Sequence, residues 1–394
     1  MATVGTISRG IKAPIIKKGD DLASIVVDSL LAAANDPVTG FAVQDRDVLA
    51  VTEAVVARAQ GNYATVDQIA KDVRAKTGGG TVGLIFPILS RNRFSMLLKG
   101  ISKGEDKLIV MLSYPSDEVG NHLMDVDALD AKGVNPYTDV FTEKQVYEVF
   151  GEVKHPFTGM DYIQLYKEMA GEGTEIFLAN RPQEILKHTS VVINADIHTR
   201  FRTKRLLLEA GAKKVVSLDE ILSAPVDGSG YNPDFGILGS NLATDDSVKL
   251  FPRDCDKFVD RVQKMLLEKT GKKVEVMVYG DGAFKDPVGK IWELADPVVS
   301  PAYTSGLVGT PNELKLKYLA DNAIGDLRGD EAKAAIQNMI KNKPTSLFAS
   351  QASQGTTPRR LTDLLGSLAD LTSGSGDKGT PIIYIQNYFS NYAD

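Results

Sequence analysis

The stretch that decides the fold class covers residues 81–112 and reads TVGLIFPILSRNRFSMLLKGISKGEDKLIVML. It contains two short apolar runs, Val82–Phe86 and Leu108–Leu112, and each has the length of a buried strand. A segment with the pattern of a helix separates them. This order favours a βαβ unit, in which two parallel strands are joined by a crossing helix.

The same alternation continues to about residue 222. Further strand-like runs follow at Ile176–Ala179, Val191–Asn194 and Lys214–Ser217, and Thr203–Ala210 has helical spacing. Repeated βαβ units build largely parallel sheets with helices packed on them. The sequence therefore predicts an α/β fold with mixed or largely parallel sheets and flanking helices.

The first 80 residues carry a similar pattern. Ala13–Ile16 is predicted to be a strand, and Asp21–Ala34 a helix with an aspartate available to cap its first turn. The apolar run Val48–Val51 is too short for most helices and suits a buried strand. A further helix is predicted over Val66–Lys76.

A third part of the chain begins after the loop Pro225–Pro233. A helix is predicted over about Asp256–Lys269, with Gly271 as its stop, and the strand Val274–Tyr279 follows it. The terminal run Pro381–Tyr388 is expected to form a last strand that joins a sheet or a partner subunit.

Composition excludes several classes of protein. The chain has 394 residues, 43% of them hydrophobic and 24% charged, so it can bury a sizeable core and is neither disordered nor fibrous. The net charge is −6, from 45 Lys and Arg against 51 Asp and Glu, without a block of like charge. We therefore expect no nucleic-acid partner. Because no apolar run approaches the ~18 residues that cross a bilayer, we expect no membrane span either.

The few cysteines and histidines limit the chemistry further. The single cysteine, Cys255, excludes an intrachain disulfide and a cysteine-based zinc site, and it fits a cytoplasmic protein. No two of the four histidines have the spacing of a zinc pair. His122 lies in a polar loop after a strand and is the histidine with the best case for a functional role.

Two common nucleotide motifs are missing or out of place. Gly78, Gly80 and Gly83 have the spacing of a dinucleotide fingerprint, but a helix is predicted before them and a strand after them, which is the reverse of what that motif requires. A helix stop is therefore favoured. No P-loop string occurs anywhere in the chain, so any phosphate has to be bound by other means.

The densest polar cluster is Gly239–Ser247, and Asp281 follows the strand that comes after it. Carboxylate and amide oxygens are hard ligands that suit Mg²⁺ or Mn²⁺. By pattern alone the favoured interpretation is that Asp245 and Asp246 cap a turn or helix, and that Asp281 with Gly282 forms the turn that ends a strand. The residues alone leave both interpretations open.

A basic group follows the strand Val82–Phe86. Arg91 and Arg93, joined by Lys99, could bind a phosphate or a carboxylate, because arginine offers paired donors to such groups. A solvated basic loop explains the same residues equally well.

Several blocks of the chain carry a family likeness. Ile16–Leu22 and Asp47–Gly61 resemble the two N-terminal motifs of the coenzyme F(420):L-glutamate ligase family, the gamma-glutamyl ligases of the deazaflavin coenzyme. Gly239–Val248, Leu250–Asp254 and Tyr279–Gly282 resemble its later blocks in the same order. The resemblance divides the chain into ligase-like parts at 1–80 and 226–394 and an inserted α/β section at 81–225.

The resemblance implies a homodimeric enzyme that binds GTP, or ATP, with Mg²⁺ or Mn²⁺. It would activate a carboxyl group as an acyl phosphate, which the amine of glutamate then displaces. Asp245 and Asp281 correspond to aspartates that hold metal, with Asp246 in support, and Asn241 to an asparagine of the same motif.

The remaining predicted site residues are phosphate or nucleotide contacts: Thr52, Arg58, Arg91, Arg93 and Gly282. This chain departs from the family motif at three of its positions. Ala54 and Arg58 stand where the motif has lysines, and Gly282 stands where it has a threonine. Arg58 keeps the positive charge of the lysine that it replaces, whereas Ala54 does not.

These observations support one leading hypothesis and two alternatives. The leading one is a cytoplasmic, metal-dependent amide ligase that uses a nucleotide to join an amino acid to a small carboxylate. The first alternative is a non-catalytic ligand-binding or regulatory protein that retains the ligase fold. The second is an NAD-type oxidoreductase built on the middle section, for which the required glycine-rich turn is missing.

Overall fold

The computed structural model describes residues 4–155, 158–171, 173–280, 284–285, 292–293, 299–348, 350–353, 359–373 and 377–394. Within these ranges, no helix has both the length and the apolar character needed to cross a bilayer.

The described strands are β1 (Ile7–Ile11), β2 (Val48–Thr52), β3 (Tyr63–Thr65), β4 (Thr81–Ile85), β5 (Lys107–Leu112), β6 (Phe141–Thr142), β7 (Glu175–Leu178), β8 (Val191–Asn194), β9 (Lys214–Ser217), β10 (Asn241–Thr244), β11 (Ser247–Lys249), β12 (Glu275–Tyr279), β13 (Phe284–Lys285), β14 (Trp292–Glu293), β15 (Ala302–Tyr303) and β16 (Ile382–Gln386). The described α-helices are α1 (Leu22–Ala34), α2 (Glu53–Gln60), α3 (Val66–Thr77), α4 (Ser95–Gly104), α5 (Val126–Lys132), α6 (Glu143–Phe150), α7 (Tyr162–Ala170), α8 (Arg200–Glu209), α9 (Cys255–Thr270), α10 (Leu316–Asn322), α11 (Gly329–Lys341) and α12 (Leu361–Ser373).

The first sheet joins the two ends of the chain, in the order β1-β16-β2-β12-β15. β2 and β12 are parallel, and their register places Thr52 opposite Tyr279 at the last position of each strand. β16 is antiparallel to β2 and begins at this same edge, with Ile382 opposite Val51. The carboxyl ends of two parallel strands and the start of a third therefore meet at one edge.

Both faces of this sheet are covered. On one face α1 and α9 pack on Val51 and Val278, and on the other face α12 packs on Ala50 and Tyr279. Successive side chains of a strand point to opposite faces, so Thr52 continues the row of Ala50 and faces the side of α12. Thr52 and Tyr279 are therefore neighbours on one face.

The second sheet has the order β6-β7-β5-β4-β8-β9, and all its pairs except β6 with β7 are parallel. Its core on one face includes residues of α3, α4 and α7, and Leu207 of α8 packs on the other face. The prediction of a largely parallel sheet with helices on it is confirmed. The division into segments at 80/81 and 225/226 stays a prediction.

A third, smaller sheet has the order β10-β11-β3. β11 is antiparallel to β3, with Ser247 opposite Thr65, and the amide of Val66 donates to the carbonyl of Asp246 at 2.8 Å. The polar block Gly239–Ser247 thereby lies at the start of α3.

One predicted strand is wrong. Ala13–Ile16 is irregular, and β1 lies earlier, at Ile7–Ile11. The amide of Ala13 still donates to the carbonyl of Gly379, but Pro14 has no amide hydrogen with which to continue the ladder.

Most other predicted strands and helices are confirmed, with ends within a few residues of those predicted. Asp21 caps α1 by accepting from the amide of Ser24, and β16 is an inner strand of the first sheet. Gly78 ends α3 in the left-handed conformation, with φ 95°, and β4 begins three residues later. The glycine-rich segment is therefore a helix stop, as its order in the sequence indicates.

Candidate functional site

A cleft of about 510 Å³ opens at the edge where β2 and β12 end. The irregular segment 13–16 and residues 379–381 line one part of it, and the junction of β2 with α2 lines another. Asp370 and Ser373 come from the last turn of α12, Lys249 from the end of β11 and Tyr279 from the end of β12. The fold therefore collects polar side chains from distant parts of the sequence around one opening.

Thr52 is held at this edge by its backbone. Its amide donates to the carbonyl of Pro381 at 3.0 Å, which continues the pairing of β2 with β16. The side chain then faces the same side of the sheet as Tyr279. Because α2 begins directly after Thr52, the strand end and the helix start form one short, fixed junction.

Tyr279 contributes a buried hydroxyl to the cleft. The residue is 1% exposed, and its hydroxyl oxygen has no hydrogen-bond partner among the residues that the structure describes. Burial raises the pKa of Tyr279 to about 12, and the charge of Asp370 adds to this. The nearby hydroxyls of Ser373 and Thr52 lower it in part, without a hydrogen bond of ordinary geometry. Tyr279 therefore stays protonated at neutral pH and can donate.

Lys249 brings a cation that the sequence analysis missed. Its ammonium lies 3.3 Å from a carboxylate oxygen of Glu53, and the two side chains are only 12% and 13% exposed. Glu53 is the first residue of α2, where a negative charge is favoured by the helix dipole. The available signal was position, because Lys249 directly follows Gly239–Val248, one of the blocks that resemble the ligase family.

Arg58 and Ala54 share one face of α2, four residues apart, and both line the cleft. Ala54 stands where the family motif has a lysine, and its small side chain leaves room there. Lys249 lines the same cleft and comes from another strand. The cleft thus contains two cations, although the α2 face retains only one.

The predicted site residues fall into two groups. Thr52 and Arg58 line the cleft, whereas Asn241, Asp245 and Asp246 lie on the β10–β11 hairpin and are not among its lining residues. Asp245 and Asp246 are exposed, and Asp246 accepts from the hydroxyl of Thr244 at 2.7 Å. β11 connects the two groups, since it runs from the hairpin turn to Lys249 at the cleft.

The basic segment that contains Arg91, Arg93 and Lys99 contacts the hairpin group. The amide of Leu242 donates to the carbonyl of Asn92 at 2.8 Å, and the ammonium of Lys99 lies 3.4 Å from the carbonyl of Asp245. Arg91, which is exposed, and the partly buried Arg93 flank Asn92 in the sequence. The structure therefore brings the basic segment and the acidic residues of the hairpin together, and neither group is among the lining residues of the cleft that Thr52 and Arg58 line.

Asp281 and Gly282 lie outside the described residues. The metal roles of Asp245, Asp246 and Asp281 and the phosphate roles of Arg91, Arg93 and Gly282 therefore stay predictions. Among the residues that are described, no three His, Cys, Asp or Glu side chains are arranged to hold a metal ion.

A separate pocket of about 230 Å³ lies at the carboxyl edge of the second sheet. The carboxylate of Glu118 accepts from the amides of Ile197 and His198 there. Burial raises the pKa of Glu118 to about 8, and the charge of Asp196 contributes. His122 is not among the lining residues of this pocket, and it forms a backbone bridge with Ser116.

One comparison with known proteins gives a match. A family model described as F420-0:Gamma-glutamyl ligase matches residues 10–387, which cover the end of β1 and all described elements from α1 to β16. No curated protein matches the chain.

Proposed function

Because the chain belongs to the F420-0:gamma-glutamyl ligase family, and is thereby a ligase, we propose that it joins an amino acid to a carboxylate acceptor through an amide bond. L-Glutamate is the amino acid we expect, and GTP or ATP drives the reaction. The observation that carries the proposal is the cleft that Thr52, Arg58 and Lys249 line together.

The proposed reaction has two steps. An acceptor carboxylate oxygen attacks the γ-phosphorus of the nucleotide, the bond to the bridging oxygen breaks, and the nucleoside diphosphate leaves. The amine of the amino acid then attacks the acyl carbon, a C–N bond forms, and the C–O bond to phosphate breaks. Of the two protons that the ammonium loses, one stays on the phosphate and one is released. No protein nucleophile is needed.

The residues of the cleft suit the charges of these steps. Arg58 can donate two hydrogen bonds to a phosphate or carboxylate, and Lys249 adds a point charge. Such fixed donors lower the barrier for phosphoryl transfer because they neutralise charge that gathers on the transferring oxygens. The Thr52 hydroxyl adds a neutral donor at the end of β2.

The family also implies a divalent metal ion. The exposed carboxylates of Asp245 and Asp246 and the amide oxygen of Asn241 are hard donors of the kind that Mg²⁺ and Mn²⁺ prefer. Asp245 and Asp281 would hold the ion, with Asp246 in support. When bound, it would offset negative charge on the nucleotide phosphates.

Phosphate release tests the proposal directly. The protein is incubated with GTP or ATP, Mg²⁺ or Mn²⁺, and pairs of amino acids and small carboxylates. We expect release that needs all components and falls about a hundredfold in Arg58→Ala, because a charged contact in the transition state is lost. The control is Arg205→Ala, an exposed arginine paired with Glu209 on α8. Unchanged release in Arg58→Ala would reject the role of the cleft.

At Ala54 and Gly282 the chain lacks the lysine and the threonine of the family motif. These two departures favour a second candidate function, a ligand-binding protein that retains the fold without catalysis. It predicts nucleotide binding with no phosphate release in any combination of substrates. Equilibrium binding measured beside the release assay separates the two functions.

We propose further that the protein is a cytoplasmic homodimer. The resemblance to the family supports the dimer, and the single cysteine supports a reducing compartment. Sedimentation of the full chain tests the first statement, and localisation of a tagged chain in its native cell tests the second.

A further inference from the structure

Tyr279 lines the cleft, and its buried hydroxyl lies near the hydroxyls of Thr52 and Ser373 but has no hydrogen bond of ordinary geometry in the described part of the chain. A buried polar group without a partner is unfavourable, so native structures rarely retain one without a reason. A phenylalanine would fill the same space in the core under α12 at no such penalty. The tyrosine is therefore best explained by a partner that enters the cleft.

The surroundings of the hydroxyl indicate what that partner is. The pKa of Tyr279 is raised to about 12 by burial and by the charge of Asp370, so the hydroxyl stays neutral and acts as a donor. A donor needs an acceptor oxygen or nitrogen on the ligand. Arg58 and Lys249 line the same cleft as Asp370, and Lys249 also pairs with Glu53 at 3.3 Å. Arg58 is therefore the cation that we expect to favour a negatively charged acceptor over a neutral one.

We propose that the Tyr279 hydroxyl binds a substrate oxyanion, which is either a carboxylate or a phosphate, and thereby positions it between Thr52 and the end of α12. The identity of the oxyanion as acceptor carboxylate or transferred phosphate rests on the proposed function. The binding of the oxyanion does not, because it requires no turnover.

The proposal gives Tyr279→Phe two effects of opposite sign. The free protein should be as stable as the original or more stable, because a buried hydroxyl without a partner is removed. Anion binding should weaken about tenfold, because one hydrogen bond to a charged group is lost. A hydroxyl with a purely structural role would instead lower the melting temperature when it is removed.

The test uses inorganic phosphate and acetate as separate probes, titrated into the full chain by calorimetry. Each is measured with the original protein and with Tyr279→Phe, and thermal unfolding is recorded without ligand. The control is Tyr303→Phe, because Tyr303 packs on the same core but does not line the cleft. It should bind both probes like the original protein.

Weaker binding of phosphate alone in Tyr279→Phe assigns a phosphate subsite, and weaker binding of acetate alone assigns a carboxylate subsite. The proposal is overturned if the original protein binds neither probe, if both affinities are unchanged, or if Tyr279→Phe lowers the melting temperature. If the anion affinity falls as expected while the original protein releases no phosphate from nucleotides, the proposed function fails and this inference stands.

Discussion

Thr52 and Tyr279 are directly opposite each other at the carboxyl ends of two parallel strands, on the face that α12 covers. They are far apart in the sequence, and strands β4 to β9, which lie between them in the chain, build the second sheet. Because the register of β2 and β12 is fixed by five residue pairs, the backbones of the two residues cannot slip past each other. The strand pairing thus sets the part of the cleft that Thr52 and Tyr279 line, and the irregular segments 13–16 and 379–381 complete it.

The predicted metal ligand Asp245 can be tested without knowledge of the acceptor. We expect Asp245→Asn to bind Mn²⁺ in the presence of nucleotide at least about tenfold more weakly, because the number of charged ligands sets the affinity of such sites. Electron paramagnetic resonance of free Mn²⁺ measures this. Asp260→Asn, at an exposed position of α9, is the matched control and should leave the affinity unchanged. Equal affinities for both variants would remove Asp245 from the metal site.

The ion pair between Lys249 and Glu53 should contribute to the stability of the protein, because both side chains are nearly buried. We expect Lys249→Met to lower the free energy of unfolding by about 2 kcal/mol, because a carboxylate with little exposure loses its cation. Adding Glu53→Gln should recover most of this loss. Urea unfolding measures both values.

The exposed pair of Lys71 with Asp227 provides the control for this cycle. Its side chains are 61% and 58% exposed, so Lys71→Met should change the free energy of unfolding by less than about 0.5 kcal/mol. Similar losses for Lys71→Met and Lys249→Met would contradict a special role of burial at the cleft.

A substitution of Gly83 can distinguish the two interpretations of the glycine-rich segment, a helix stop and a dinucleotide-binding turn. A Cβ at this position of β4 would overlap the side chain of Ile185, so Gly83→Ala should cost about 1–3 kcal/mol of stability. Nucleotide affinity of the folded variant should not change, since a helix precedes the segment and a strand follows it, the reverse of what a pyrophosphate site requires. Gly173→Ala, where a Cβ would meet open space, is the control. Loss of nucleotide binding at full stability would favour the dinucleotide interpretation.

The stability of the protein should depend on pH through Glu118. Its pKa is raised by burial and by Asp196 to about 8, so the folded state keeps a proton that the unfolded state releases above pH ~4.5. Stability should therefore fall as pH rises from about 5 to about 8 and then level off. Part of the side chain is exposed to solvent, which limits the effect to about 1 kcal/mol.

Glu118→Gln should remove this fall, because glutamine does not titrate. Thermal unfolding of both proteins at pH 5, 6.5 and 8 measures the difference. A parallel decline in the two proteins would show that another group is responsible.

The local pattern of the sequence predicted most of the elements that form the site. The apolar run Val48–Val51 becomes β2, and the helix over Asp256–Lys269 becomes α9 with Gly271 after its end. These are short-range effects of burial, capping and glycine conformation, which act within a few residues. Pro14 is the exception, because the apolar run Ala13–Ile16 contains a residue that cannot donate to a strand ladder.

The sequence by itself determined the α/β class, the alternation of strands and helices, and the motif residues Thr52 and Arg58, which lie at the end of β2 and in the last turn of α2. Only the tertiary structure decided that Lys249 and Tyr279 join them, and that Asn241 and Asp245 lie beside the basic segment. The reason is physical: hydrophobic periodicity reports which face of an element is buried, but it carries no information about which distant strand pairs with it. The composition of the cleft follows from that pairing.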